Sequence, residues 1–266
     1  SFTRYNIMTP PTFYGLKNYE RLVTDTKFMK ALFNTLKLMV MIVPLQMILS
    51  LIVSVFLVSH RHMLIGKIAN SVIFIPVLCS NAATGVIWRE LLNGKIPAVE
   101  TFFGLFGIKA SMLLGNAKTA LAVVAAVAIW KMLGYYVVIY SSGLLGISES
   151  FYEAAKVDGA NAFQTFTKIT LPYMLYVTTP YLIVTFTGNV NNFNVIYLLS
   201  GGDPVTNLSS TAGKTDLLVT WLYKLTIDKQ YYNIGAVIGI MTFIILAIGC
   251  LLTYRNSKSY KEEGGF

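Results

Sequence analysis

Residues 153–172 read Glu-Ala-Ala-Lys-Val-Asp-Gly-Ala-Asn-Ala-Phe-Gln-Thr-Phe-Thr-Lys-Ile-Thr-Leu-Pro, a polar stretch between two strongly apolar runs. The small residues Ala154, Ala155, Gly159, Ala160 and Ala162 would let a partner surface approach closely. Glu153 and Asp158 could accept hydrogen bonds from basic or backbone groups on that partner. Gly159 and Pro172 suggest two short helices joined at a bend, since Gly costs about 1 kcal/mol inside a helix and Pro cannot continue one. The bland alternative is an ordinary solvated loop. Against it, so long a connection without Gly/Ser character is unusual for structureless chain. We read the stretch as a docking element.

A second constellation is Asn189-Val190-Asn191-Asn192-Phe193-Asn194-Val195-Ile196-Tyr197, at the end of an apolar run. Amide side chains facing lipid are costly, so they must face a polar cavity or other helices. Amides both donate and accept, and the neighbouring rings of Phe193 and Tyr197 can stack on sugar rings, a set that suits a neutral polyhydroxylated ligand. Interhelical hydrogen bonding is the competing reading.

Other candidates carry less. Lys131, beside Trp130 in mid-run, could mark a substrate path, but a lysine facing the bundle and satisfied by carbonyls explains it as well. His60 and His62 share an exposed turn with no cysteine or carboxylate cluster, a poor start for a metal site or a catalytic base. Gly94-Lys95 lacks the spacing of a phosphate loop. Cys79 and Cys250 sit in apolar runs and read most simply as small buried hydrophobes, with no CxxC pair. The triplet Asn207-Leu208-Ser209 fits a glycosylation acceptor, a pattern too short to weigh.

The elements that position these residues are membrane spans. The chain has 266 residues, 55% hydrophobic and 12% charged, with a mean hydropathy of +0.61. Soluble domains carry about a quarter charged residues. Crossing a bilayer takes about 20 apolar residues, and five segments qualify: 31–58, 65–88, 119–140, 173–199 and 234–254. Residues 1–30 form an aromatic, polar lead-in that Pro10-Pro11 keeps from being one helix, and 255–266 a polar tail. Short surface helices are expected at 99–106 and 217–225. The net charge of +9 is spread as single Lys and Arg residues, which suits lipid headgroups better than nucleic acid.

An odd number of spans places the 153–172 stretch, the Arg61 turn and the tail on one side. That side holds seven Lys and Arg (Arg61, Lys67, Lys156, Lys168, Arg255, Lys258, Lys261) against twelve on the other, over about half as many residues, so charge alone does not orient the chain. The compact basic turn and tail lean toward a cytoplasmic docking stretch. No span contains Asp or Glu. Carriers driven by ion gradients usually need an intramembrane carboxylate, which argues against a self-powered carrier.

Glu153-Ala154-Ala155, then Gly159, Ile169 and Leu171-Pro172 at their spacings, resembles the EAA loop of permease subunits of binding-protein-dependent ABC importers. The resemblance runs from about Phe13 to Arg255 and favours the carbohydrate branch through Asn34-Thr35, Trp130 with Gly134-Tyr135, and Leu199-Ser200-Gly201-Gly202-Asp203-Pro204. Within it, Thr211 through Tyr223 and the asparagine run are similar to the larger permease of maltose, maltodextrin and galacto-oligosaccharide importers. Asp203 departs from the family's turn, where a third glycine is common. The family also implies a span ahead of residue 31, outside this sequence.

The resemblance implies an all-α integral membrane fold, the five-helix core of a type I importer permease, with 31–254 as the permease domain. A cytoplasmic coupling loop over about 148–171 would seat in a cleft of the ATPase subunit. Glu153, Ala154, Ala155, Asp158 and Gly159 would be the coupling contacts; Asn189, Asn191, Asn192, Phe193, Asn194, Tyr197 and Tyr135 would line the sugar path. Implied partners are a second permease, two ATPase subunits carrying ATP and Mg, an extracellular solute-binding protein and an oligosaccharide. The chain itself would be no enzyme and hold no cofactor, in a bacterial or archaeal inner membrane.

Overall fold

The structure is a computed structural model that describes residues 1–6, 9–205 and 212–256. Asn207-Leu208-Ser209, Thr211, Lys258 and Lys261 lie outside the described residues. A hairpin of β1 (Thr3–Asn6) and β2 (Thr9–Phe13) leads into α1 (Lys17–Val23) and the long α2 (Thr26–Ser59). Then come α3 (Leu64–Leu78), α4 (Asn81–Leu91), the short α5 (Pro97–Gly104) and α6 (Ala110–Leu113), and α7 (Ala120–Leu145). The second half holds α8 (Glu149–Val157), α9 (Ala162–Thr165), a π-helical turn (Phe166–Thr170), α10 (Leu171–Val190), α11 (Phe193–Ser200), α12 (Leu218–Tyr223), another π turn (Lys224–Asp228) and α13 (Tyr232–Asn256).

Among the described residues, four helical stretches are long and apolar enough to cross a membrane: 26–59, 120–145, 162–200 and 232–255. A bent pair, α3 with α4, makes five if it counts as one span. Helices serve here because lipid offers no partner to a free N–H or C=O.

The structure departs from the sequence expectations at several points. The 65–88 segment is not straight: α3 and α4 meet at 98°. Cys79 and Ser80 between them are extended, with ψ of 143° and 139°, and Cys79 is exposed and Cys250 half-buried rather than buried as expected. Pro76, three residues earlier, has no N–H to continue the ladder. The lead-in is an ordered hairpin pairing Arg4 with Thr12, and its prolines sit in a two-stranded sheet where every strand is an edge. The 217–225 segment is not a surface helix, because Leu217, Leu218, Thr220, Trp221 and Leu225 are buried. Pro172 ends nothing: it lies in the first turn of α10, continuous with the π turn before it.

The chain divides into two compact units. Of the described residues, the first holds those in Ser1–Ile42, Ser80–Ala128 and Thr187–Gly249; the second holds Val43–Cys79, Ile129–Phe186 and residues 250–256. The chain therefore passes between units five times, once within each apolar segment, the bent pair included.

In the first unit, Trp221 of α12 packs among Leu22, Phe28, Leu225 and Ile238, its ring 6.5 Å from that of Phe28. Buried Asp216 precedes α12 and pairs with Lys224 at 2.9 Å. The same carboxylate accepts from Gly213 N–H at 2.7 Å and from the Thr220 hydroxyl at 2.9 Å. Asn34 of α2 donates to the carbonyls of Gly213 and Asp216. A Cβ on Gly202 would collide with Asp216 and Lys224, so the glycine turn closes directly on this ion pair. Asp203 joins the arrangement through its carbonyl, which accepts from Thr215 at 2.7 Å. Gly85 of α4 lies against α11, where a Cβ would stand 2.8 Å from that of Leu198.

The second unit is built on Tyr136, Tyr140, Leu144, Ile147 and Met174, with Leu51, Val55 and Tyr152 packed around them.

Candidate functional site

The 153–172 stretch folds as helix, bend, helix. Helix α8 ends at Asp158. Ala160 N–H then donates to Ala155 O at 2.9 Å and Gly159 N–H to Lys156 O at 3.1 Å, a Schellman closure. Gly159 takes φ +71° with nothing within 4 Å of a built Cβ, so its requirement is conformational rather than steric. Asn161 opens α9 with a capping box: Gln164 N–H donates to Asn161 Oδ1 and Asn161 N–H to Gln164 Oε1, both at 2.9 Å.

Among the sequence candidates here, Glu153, Ala154, Asp158 and Gly159 are exposed, whereas Ala155 is buried beneath them. Phe151, Val157 and Phe163 also stand exposed, Val157 by 88%. The underside is anchored: Tyr152 packs on the second unit's core, and its hydroxyl meets that of Thr170 at 3.1 Å. An apolar, acidic outer face thus rides on a helix tied to the membrane helices.

The asparagine run breaks a helix. Helix α10 stops at Val190, Asn191 and Asn192 form a turn, and α11 starts at Phe193. Asn191 and Asn194 are exposed; Asn189, Asn192, Phe193 and Tyr197 are half-buried. The Asn191 amide donates back to Thr187 O in the last turn of α10 at 3.3 Å rather than to another helix. Phe193 and Tyr197, one turn apart, stack at 4.9 Å and 15°. Tyr223 at the end of α12 completes a trio, 4.8 Å from Phe193 and 5.0 Å from Tyr197. Sequence reasoning missed Tyr223, because its only local signal is an aromatic among apolar neighbours. Tyr135 belongs to the second unit, is exposed, and sits edge-on to Tyr136 at 5.3 Å.

Lys131 takes the carbonyl reading. Its buried ammonium donates to Pro76 O at 2.6 Å, Val77 O at 2.9 Å and Cys79 O at 2.5 Å. These carbonyls close α3, where a cation also complements the helix dipole. One turn on, Gly134 lies so close to α3 that a Cβ would collide with Ile73 O. The Lys131 to Gly134 face of α7 therefore brackets the broken second span. His60 and His62 stay on an exposed turn, and no metal-binding group of three occurs among the described residues.

A family model described as binding-protein-dependent transport system inner membrane component matches residues 26–257. The chain belongs to this family. The permease is 30% identical to the galactooligosaccharides transport system permease protein of Bacillus subtilis, over 99% of this chain and 65% of that protein. It is 31% identical to the multiple sugar-binding transport system permease protein of Streptococcus mutans, over 98% of this chain and 87% of that one. With the maltose/maltodextrin permease protein MalF of Salmonella typhimurium the identity is 35%, over 89% of this chain and 47% of that protein. The permease thus spans less than two thirds of the first of these relatives and about half of the last. Its fold matches a chain of the bacterial alginate ABC transporter crystallised with an alginate-bound periplasmic protein, with a TM-score of 0.75 at 21% identity, over 92% of this chain and 83% of that one.

Proposed function

We propose that the permease is one membrane subunit of an ATP-driven importer for oligosaccharides of the maltodextrin or galacto-oligosaccharide type. It pairs with a second, similar permease and receives sugar from an extracellular binding protein. ATP and Mg are bound and spent on two partner ATPases, so the permease is not itself an enzyme and holds no cofactor.

The observation that carries this reading is the helix–Gly159–helix element with its exposed Phe151, Glu153, Val157 and Asp158. Glu153, Ala154, Asp158 and Gly159 form the ATPase contact, and Ala155 keeps the helix low on its support. ATP-driven motion of the docked ATPases then rocks the permease helices through Tyr152 and alternates access to the path. The sugar path includes the Asn189–Asn194 turn, with Phe193 and Tyr197; Tyr223 joins it through its contacts with Phe193 and Tyr197. Tyr135, in the second unit, is a separate sugar-path candidate. Amides and ring faces there fit hydroxyl groups and the apolar faces of sugars. The sugars named for the relatives support the substrate class.

The test is a proteoliposome screen of the assembled transporter with its binding protein. Maltodextrins or galacto-oligosaccharides should stimulate ATP hydrolysis and accumulate inside. Stimulation only by an unrelated solute would overturn the substrate class.

A further inference from the structure

Behind α8, within the second unit, lies a cavity of about 730 Å3. Its apolar wall comes from Val55, Val58, Leu144, Leu145 and Phe166, and its polar rim from Arg61, His62, Lys156, Glu149, Tyr152 and Thr170. Arg61 also walls a smaller neighbouring cavity of about 160 Å3 that Lys67, Asn70 and Ser141 line. Three cations, Arg61, Lys67 and Lys156, thus line these two cavities against one lining carboxylate, Glu149, with Glu153 one turn from Lys156 on α8 outside the lining. Among the described residues the ion pairs are Arg89 with Glu90 and Lys224 with Asp216, so none of the three cations is neutralised by a carboxylate. Arg61 has one side-chain partner, His62, whose Nε2 accepts from Arg61 Nε at 3.1 Å.

We infer that this cavity binds the phosphate headgroup of an anionic membrane phospholipid, which bridges Arg61 on the α2–α3 turn to Lys156 on α8. The occupant follows from the mixed lining and its place. The turn joins two apolar helices whose flanking residues are exposed, Phe56 by 51%, Leu64 by 73% and Ile65 by 61%, surfaces that meet acyl chains in a bilayer. Cations at such a boundary attract anionic headgroups, and a guanidinium grips phosphate oxygens in pairs. A soluble phosphate would use the cations and leave the apolar wall wet.

The ATPase is not the occupant. Glu149, Tyr152 and Lys156 recur at i, i+3 and i+7 and line the cavity, whereas Ala154 and Asp158, spaced i and i+4, lie on another face and Glu153, four residues after Glu149 and three before Lys156, stands at the border outside the lining. Lipid binding therefore stands whether or not the outer face couples to ATP hydrolysis.

The assembled transporter in phosphatidylcholine nanodiscs, without ATP, is given graded phosphatidylglycerol, and bound lipid is counted by native mass spectrometry. The wild type should retain phosphatidylglycerol. The double variant Arg61→Gln, Lys156→Gln should need about 25-fold more, at about fivefold per cation. Arg61→Lys with Lys156→Arg should retain it. Equal retention by the neutral double variant would overturn the site. So would loss in the charge-preserving variant, since charge would then not be what binds. Displacement by millimolar glycerol 3-phosphate would assign the cavity to a soluble phosphate ester and overturn the lipid.

Discussion

Lys131 is a charge buried in an apolar helix, and its three carbonyl partners make it a cap for a helix on another span. Substituting Met leaves those carbonyls without a donor, at about 1–3 kcal/mol for each that cannot relax. Lys131→Met should therefore lower the thermal midpoint of the purified complex while sugar affinity holds. Lost affinity at an unchanged midpoint would return Lys131 to the substrate path. Asp216 makes a parallel case, because it is fully buried with Lys224, Gly213 and Thr220 around it. Asp216→Ala should cost about 3–5 kcal/mol, the penalty for breaking a buried pair by removing one partner, read as the same midpoint. The sequence showed that Lys131 had to be satisfied, since a lone cation in an apolar run has few outcomes. It did not show by what, because the carbonyls appear only where α3 breaks. Nor did it mark Asp216 as a structural centre, since nothing local distinguishes that aspartate from a solvated one.

Among elements, α8 and α9 were the most legible. Small residues, Gly159 and the acidic pair pointed to two helices and a bend, and both helices formed. The end was misread. Pro172 looked like a terminator, yet α10 runs on from the π turn, where Leu171 N–H reaches back to Phe166 O and the shifted ladder accommodates the donor that the proline lacks. Asn161→Ala should remove the capping box and cost about 1 kcal/mol, seen as faster hydrogen exchange in 161–165. On the segment between α4 and α7, Glu100 accepts from Ser111 N–H at 2.8 Å and Ala110 N–H at 3.1 Å. The Ser111 bond is the main reason the Glu100 carboxyl is held below its ordinary 4.5. A lowered carboxyl pKa stabilises the fold above the unfolded value and stops doing so as pH falls through the folded one. Amide exchange at Ala110 and Ser111 should therefore quicken as pH drops below about 4.5 relative to Glu100→Gln, in which the pH step should vanish.

At the scale of the whole molecule, the five apolar segments were legible from length and hydropathy alone, and each crosses between the two units. The 98° break in the second was not, because Pro76 is compatible with either a kinked or a continuous span. Half of the most apolar stretch of α7 is buried, against 22% in α13. The exposed apolar residues of α13, such as Phe243 and Leu251, thus need lipid or another apolar surface to cover them. Between those surfaces and the exposed face of α8, the chain is built to work within an assembly.

The central claim is that ATP's energy enters through that face. The direct measurement is oligosaccharide-stimulated ATP hydrolysis by the assembled transporter in proteoliposomes, wild type against Glu153→Lys, with isolated ATPase activity and complex assembly as controls. Stimulation should fall at least tenfold, to near the unstimulated rate, while the controls are unchanged. Full stimulation in an assembled Glu153→Lys complex would contradict the account.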